Sequence, residues 1–247
     1  LTGKVALITG GSKGIGKVIA RELAREGVDG AICARTYETL EATAKELSSE
    51  TGRTIIPIQA DMSNGQDVNQ MVEATIRKFG RIDILVNNAA IVGGQVSANL
   101  ADATETDLIE DLDTKVVGYF RTIKAVVPHM QEQKWGRIIN IGGLSARQST
   151  FYGLRNSAIV HMTKTLSDQL GPSGITLNVV HPGSTLTETI ENRQQQTAKN
   201  QGITIEELQS NNSRNVAIRR PINPEELAYL VTFLSSPKAE CITRSEE

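Results

Sequence analysis

The chain has 247 residues, a formal net charge of −2, and 26 basic against 28 acidic side chains. That length allows one α/β domain with a substantial core, and the near balance of charge leaves no electrostatic case for binding nucleic acid or an anionic membrane surface. No apolar run approaches the roughly 20 residues of a membrane span, Lys4 ahead of the apolar run from Val5 is not a signal-peptide pattern, and Cys33 and Cys241 stand far apart without metal-ligand spacing, so the expectation is a reduced, cytoplasmic protein with no metal.

Residues 4–9 (KVALIT) form a short continuous apolar run, the pattern of a strand buried on both faces. Gly-rich residues follow, and Ile15, Val18, Ile19 and Leu23 keep helical spacing up to Gly27, a helix stop. The alternation continues with a strand at 30–34, a helix at 37–50, a strand at 54–59 interrupted by Pro57, a helix at 68–79 and a strand at 82–86. A long helix begins near Thr104, where Thr104 and Asp107 form a capping pair, and its apolar stripe runs Leu108, Leu112, Val116, Phe120, Ile123, Val127. Residues 137–141 are the next strand, 157–170 the next helix, and 175–180 a strand ending at His181-Pro182-Gly183. Residues 184–220 are polar and Gln/Asn-rich, an excursion from the sheet with 206–210 helical, and Pro224 starts a helix through Leu234. Such alternation predicts a three-layer α/β fold, a doubly wound parallel sheet with helices on both faces. One domain covers residues 1–247, and 184–220 form a lid that carries substrate specificity.

The segment Thr9-Gly10-Gly11-Ser12-Lys13-Gly14-Ile15-Gly16 lies between the first strand and the first helix. Glycines 10, 14 and 16 let the backbone turn tightly and approach a pyrophosphate, for which the helix N-terminus supplies amide donors and a partial positive charge. Glycines also make ordinary turns, but the position after a buried strand and before an amphipathic helix favours the phosphate reading. The spacing resembles TGxxxGIG, the fingerprint of the short-chain dehydrogenase/reductase family. Other matches follow in order: Asp61 and Met62 close the third strand, Asn87-Asn88-Ala89-Ala90 resembles NNAG with Ala for the last Gly, and Pro182-Gly183 with Thr187 resembles PGxxxT. The resemblance runs from Lys4 to about Thr243. It implies a Rossmann-type fold and a nicotinamide dinucleotide held by Gly10, Ser12, Lys13, Gly14, Ile15, Gly16, Arg35, Asp61, Met62, Asn88, Ala89, Ala90, Asn156, Pro182, Gly183 and Thr187. Asp61 would meet the adenine and Thr187 the nicotinamide carboxamide. It also implies a small-molecule carbonyl or alcohol substrate, and a homodimer through the long helices or a homotetramer through the last strand. Arg244 stands where the family enters that strand with Gly, which puts the tetramer in doubt.

The end of the second strand decides ribose recognition. An acid there would bind the 2′-hydroxyl of NAD and repel a 2′-phosphate. Here Ala34 takes its place, Arg35 follows, and Lys13 lies in the Gly-rich turn. Two cations suit a doubly charged phosphate, and Arg can hold it bidentately, so NADP(H) is expected in preference to NAD(H). The alternative leaves both as solvated loop charges.

In the family a Tyr moves the substrate proton, a Lys four residues later binds the nicotinamide ribose and lowers the Tyr pKa, a Ser about a dozen residues earlier orients the carbonyl, and an Asn in the long helix holds a water. Alignment puts Tyr152 at the tyrosine position, Asn156 where the lysine belongs, Gly142-Gly143 at the family's Ser-Ser, and Lys115 at the Asn position. The interval from Gly143 to Tyr152 is shorter than the family's. A missing unit charge ~5 Å from the phenolate, at an effective dielectric of ~20, removes about 3 kcal/mol, roughly two pKa units on the Tyr and a factor of ~100 in acid–base catalysis. Three readings stay open. Lys115 replaces the lysine as cation, with Ser145 or Ser149 replacing the Ser and Asn156 bonding ribose hydroxyls. Or Tyr152 is a packed helix-start aromatic in an NADP(H)-binding pseudoenzyme with a regulatory or structural role. Or the tyrosine alignment is one gap off. Arg155 is read as pointing elsewhere on its helix. His181, at a strand end, is a candidate for touching substrate or nicotinamide. His129, His161, Asp83, Trp135 and buried Cys33 are read as structural, and Asn88 as a strand-end hydrogen-bonding residue rather than a chemical one.

Overall fold

The computed structural model describes the chain apart from residues 92, 93, 95, 148, 149, 215–217, 246 and 247 and the side chains of Ser145 and Arg147. Six strands, β1 (Val5–Thr9), β2 (Asp29–Ala34), β3 (Ile55–Gln59), β4 (Ile84–Asn87), β5 (Gly136–Ile141) and β6 (Ile175–Val180), pair in parallel in the order β3-β2-β1-β4-β5-β6. Alternation along each strand feeds two core layers. Ala6, Ile8, Ile84, Val86, Ile139 and Ile141 face one side, where α1 (Gly14–Arg25), α2 (Tyr37–Thr51) and α9 (Pro224–Leu234) pack. Leu7, Leu85, Ile138 and Leu177 face the other, under α3 (Gly65–Phe79), α5 (Gly118–Gln133) and α6 (Phe151–Leu170). A parallel sheet buried on both faces needs continuous apolar strands, and VALIT, ILVN and ITLNVV supply them. This is the Rossmann-type three-layer arrangement, and its strand order reverses between β1 and β4.

Helix boundaries follow local chemistry. Asn64 caps α3 by accepting from Gln66 and Asp67, and α2 and α3 end at Gly52 and Gly80, both in the left-handed region. Trp135 lies between the Lys4 ammonium, 3.7 Å from the ring centroid, and the Arg137 guanidinium, 4.4 Å away, a packed turn aromatic as expected. Asp83 accepts from Val5 N, Lys4 and Arg81, which ties the strand starts together.

Three expectations change. The helix expected from 157 begins at Phe151, because Thr150 caps it by accepting from Gly153 N at 3.0 Å. Tyr152 and Asn156 therefore stand on its first two turns. The expected stripe of the long helix is turned by one residue. Phe120 is exposed, and the buried line is Asp111, Lys115, Tyr119, Ile123. The cause is a π turn (Asp113–Val117) between α4 (Glu105–Leu112) and α5. Its i→i+5 bonding widens the helix, so positions four apart drift less around the axis and stay on one face. Finally, the excursion is more helical than expected: α7 (Glu188–Gln201) and α8 (Ile205–Ser213) fill it, capped by Thr187 and by a Thr204–Glu207 capping box. Its base is closed by Ile222 N donating to Ser184 O and Leu186 N to Ile222 O, both at 2.9 Å.

Beyond β6, Arg244 N donates to Leu177 O at 2.7 Å and Val179 N to Ser245 O at 3.0 Å. Arg244 enters this edge pairing at φ 66°, where the family has Gly.

Candidate active site

A cleft of about 700 Å³ runs along the carboxyl ends of the strands, over the point where the order reverses. Its first wall is the turn after β1. Gly10 and Gly14 adopt φ of 66° and 57°. A Cβ on Gly10 would meet Asn88 Nδ2 at 2.8 Å and Ala89 Cα at 3.0 Å, and one on Gly16 would run into the Gly10 carbonyl oxygen. Gly16 thus serves the packing of the turn and does not itself line the cleft. Lys13 sits at the N-cap of α1, with no side chain capping the helix N-terminus. Asn88 Nδ2 donates to Thr9 O at 3.0 Å and Gly10 O at 3.1 Å, while the Thr9 hydroxyl accepts from the amides of Asn88 and Ala89. The two strand ends at the switch are locked together by that exchange.

Further along, Ala34, Arg35 and Lys13 line the same wall. The Asp61 carboxyl also lies there. Burial alone would raise its pKa, but hydrogen bonds from the amide and hydroxyl of Ser63, with the charges of Arg35 and Arg121, hold it below the usual range. Cys33 is buried, and burial pushes its thiol up to about 12, an inert state. Thr187 returns across the chain to the glycine turn, its methyl 3.5 Å from where a Cβ on Gly14 would stand. Ser12, Ile15, Met62, Ala89, Ala90, Pro182 and Gly183 line the cleft as well.

The other end collects Tyr152, Lys115 and Arg155 as lining residues. Lys115 is 3% exposed. Its ammonium donates to Asn156 Oδ1 at 2.8 Å and to Gly142 O at 3.0 Å. Asn156 Nδ2 donates to Tyr152 O at 3.1 Å. The three residues singled out from sequence are therefore joined, although they come from two helices. Asn156 is fully buried and does not line the cleft, which corrects its expected contact with ribose hydroxyls: its amide holds Lys115 and the first turn of α6 instead. Burial pushes Lys115 down to about 7; Arg155 adds to the effect and Asp111 opposes it.

Arg155 is the residue that spacing missed. It is not turned away. Positions 152 and 155 are i and i+3, neighbours on a helix surface, and long side chains lean toward the helix N-terminus. Its guanidinium lies 4.3 Å from the Tyr152 ring centroid. It pairs with Asp111, donates to Ile91 O at 2.9 Å, and is 1% exposed, as is Asp111. Asp111 carried a signal that went unused: Asp111 and Lys115 are i and i+4, one line of charge beside the apolar stripe.

The Gly142-Gly143 pair has a local reason. A Cβ on Gly142 would run into His181 Nδ1, and one on Gly143 would meet Asn156 Nδ2 at 3.1 Å. His181 Nδ1 accepts from Gly143 N at 2.8 Å. His181 thus braces the strand end and is not a cleft-lining residue. Ser149 and the side chain of Ser145, candidates for the missing Ser, lie outside the described residues. Among the described residues no group of His, Cys, Asp and Glu fits a metal ion, and no helix is long and apolar enough to cross a membrane.

Comparison with known proteins matches residues 4–198 to the family described as short chain dehydrogenase. A putative ketoacyl reductase of Streptomyces coelicolor is 35% identical over 246 residues, covering 97% of this chain and 93% of that protein. Among solved structures, L-sorbose reductase from Gluconobacter frateurii, complexed with NADPH and L-sorbose, superposes with a TM-score of 0.94 at 29% identity, over 100% of this chain and 94% of that one. An NAD+-bound xylitol dehydrogenase reaches 0.89 at 27% identity, over 99% and 96%.

Proposed function

The chain belongs to the short-chain dehydrogenase family and is an oxidoreductase of that type, and from that premise we propose that it transfers hydride between NADP(H) and a carbonyl/alcohol pair, with Tyr152 carrying the proton. The observation behind this reading is the 2.8 Å contact between Lys115 Nζ and Asn156 Oδ1. The family draws its cation from the tyrosine's own helix and its amide from the neighbouring one. Here the two are exchanged, and they meet between the helices at that distance.

The cleft fits a dinucleotide: side chains on Gly10 or Gly16 would occupy or close the turn that approaches the pyrophosphate. When bound there, the nicotinamide supplies or takes up the hydride. Lys13 and Arg35 hold the 2′-phosphate, and Ala34 brings no carboxylate to repel it. The relatives bind NADPH in one case and NAD+ in another, so the preference rests on these three residues. The Tyr152 hydroxyl donates its proton to the carbonyl oxygen as the carbon gains hydride, and the phenolate takes a proton back in the reverse direction. Lys115 serves in place of the family's lysine as the cation at this end of the cleft, and Asn156 keeps its ammonium in position. Residues 184–220 act as a lid on a single domain, closed at its base by Ser184–Ile222 pairing. The protein works in the cytoplasm as a homo-oligomer.

The test is NADPH oxidation over a panel of aldehydes, keto sugars and 3-oxoacyl esters, with Tyr152→Phe alongside. Turnover should fall about 10³-fold in Tyr152→Phe while the NADPH Kd stays unchanged. Tight NADPH binding with no turnover on any carbonyl would instead assign the site to binding alone, as in a pseudoenzyme.

A further inference from the structure

We propose that Arg155 is a positioning residue for Tyr152: clamped by Asp111 and the Ile91 carbonyl, its guanidinium lies against the face of the tyrosine ring and fixes the ring in the cleft. The inference rests on the reading of Tyr152 as proton carrier. Three observations support it. The guanidinium is 4.3 Å from the ring centroid, a cation–π distance. Both members of the Arg155–Asp111 pair are 1% exposed, and an ion pair so deeply buried is weak as a stabilising device, because desolvating both charges offsets their attraction. And Arg155 Nε finds no hydrogen-bond partner among the described residues, so the guanidinium gives up one bond in a position where it meets the ring.

A second close approach confines the ring. Gly94, at φ 75°, lies so near that an added Cβ would stand 2.8 Å from Tyr152 Cδ2. A ring that meets a guanidinium and stands this close to a glycine has little freedom to swing. Pre-organisation of this kind matters because small misplacements of a proton carrier cost large factors in rate.

The experiment follows the mobility of the Tyr152 ring by NMR of the protein labelled with ¹³C at the tyrosine ε carbons, the Tyr152 signals being assigned by their absence in Tyr152→Phe. In Asp111→Asn/Arg155→Gln, which removes both charges together and leaves no buried ion unpaired, ring reorientation should quicken and kcat should fall about tenfold with the NADPH Kd unchanged. In Arg155→Lys, which keeps a cation but loses the planar guanidinium, reorientation should quicken as well. Ring reorientation unchanged in the folded double variant overturns the proposal. If the double variant does not fold, Arg155→Lys decides: faster reorientation supports the proposal, and an unchanged ring refutes it. The ring measurement is independent of turnover. Faster reorientation, together with full activity in Tyr152→Phe, would refute the proton-carrier role while leaving the Arg155 effect standing.

Discussion

The two ends of the cleft use different materials. The end under β1 and β2 is built from backbone: glycines at 10, 14 and 16, an uncapped helix N-terminus, and strand ends tied through Thr9 and Asn88. The end under β5 and β6 is built from side chains of α4, the π turn, α5 and α6 that hold one another: Lys115 with Asn156, Asn156 with the first turn of α6, and Asp111 with Arg155 against Tyr152. Backbone geometry tolerates few residue types, so that end keeps its motif. Side-chain geometry can be met from either of two facing helices, so the other end can exchange its parts and keep its charge.

Breaking the side-chain end should have the larger effect. Lys115→Met should lower kcat by about 100-fold, the factor expected if it takes over the family lysine's role. It should also abolish an ionisation near pH 7 in the rate profile, where activity falls as the ammonium is lost on raising the pH. If exchange is the right description, Lys115→Asn/Asn156→Lys should recover to within about tenfold of the parent rate, a recovery of coupled residues that neither single change should show. A double variant no better than Lys115→Met would end the comparison.

At the backbone end, Arg35→Ala should weaken NADPH by about 10- to 100-fold, the loss of charge-assisted hydrogen bonds, and leave NADH nearly unchanged. Equal weakening of both, by fluorescence titration, would contradict the 2′-phosphate role.

Stability against pH gives a smaller, separable readout. The folded-state pKa of Lys115, about 7, lies below its ordinary 10.5, so above pH 7 the unfolded chain binds the extra proton. Burying the ammonium therefore costs stability in full below pH 7, and the cost is relieved as pH rises toward 10.5. Lys115→Met should unfold at higher denaturant than the parent at pH 6 and lose that advantage by pH 10. An advantage constant across that range would place the burial penalty elsewhere. The smallest effect should come from a departure that nothing offsets. Arg244 at φ 66° occupies the left-handed region, and Arg244→Gly should stabilise by up to about 1 kcal/mol in chemical denaturation, its exposed pair with Asp168 being worth little.

This contrast also explains what could be read in advance. The strand–helix alternation, the glycine turn and the Ala34–Arg35 pair follow from spacings within a few residues, where periodicity and backbone conformation speak directly. Tyr152 came from aligning residues 138–174 on the family's strand–loop–helix. Arg155 and Asp111 were not, because the apolar stripe at 108, 112, 116 and 120 outweighed the neighbouring line of charge, and a π turn leaves no mark in apolar periodicity. Helices α7 and α8 were underread for a related reason. They bury few apolar side chains, and their clearest signals were the caps at Thr187 and Thr204.

The His181 imidazole, wedged where a side chain on residue 142 would go, gives the site a history-dependent character. An engineer wishing to return the family's usual serine to that strand end cannot begin there, since Gly142→Ser drives a new Cβ into the ring that braces Gly143. The ring, and the Val179 methyl that would stand 2.9 Å from the new Cβ, must give way first, and residue 142 can grow only afterwards. Repairs to this half of the cleft are thus constrained in their order as much as in their content.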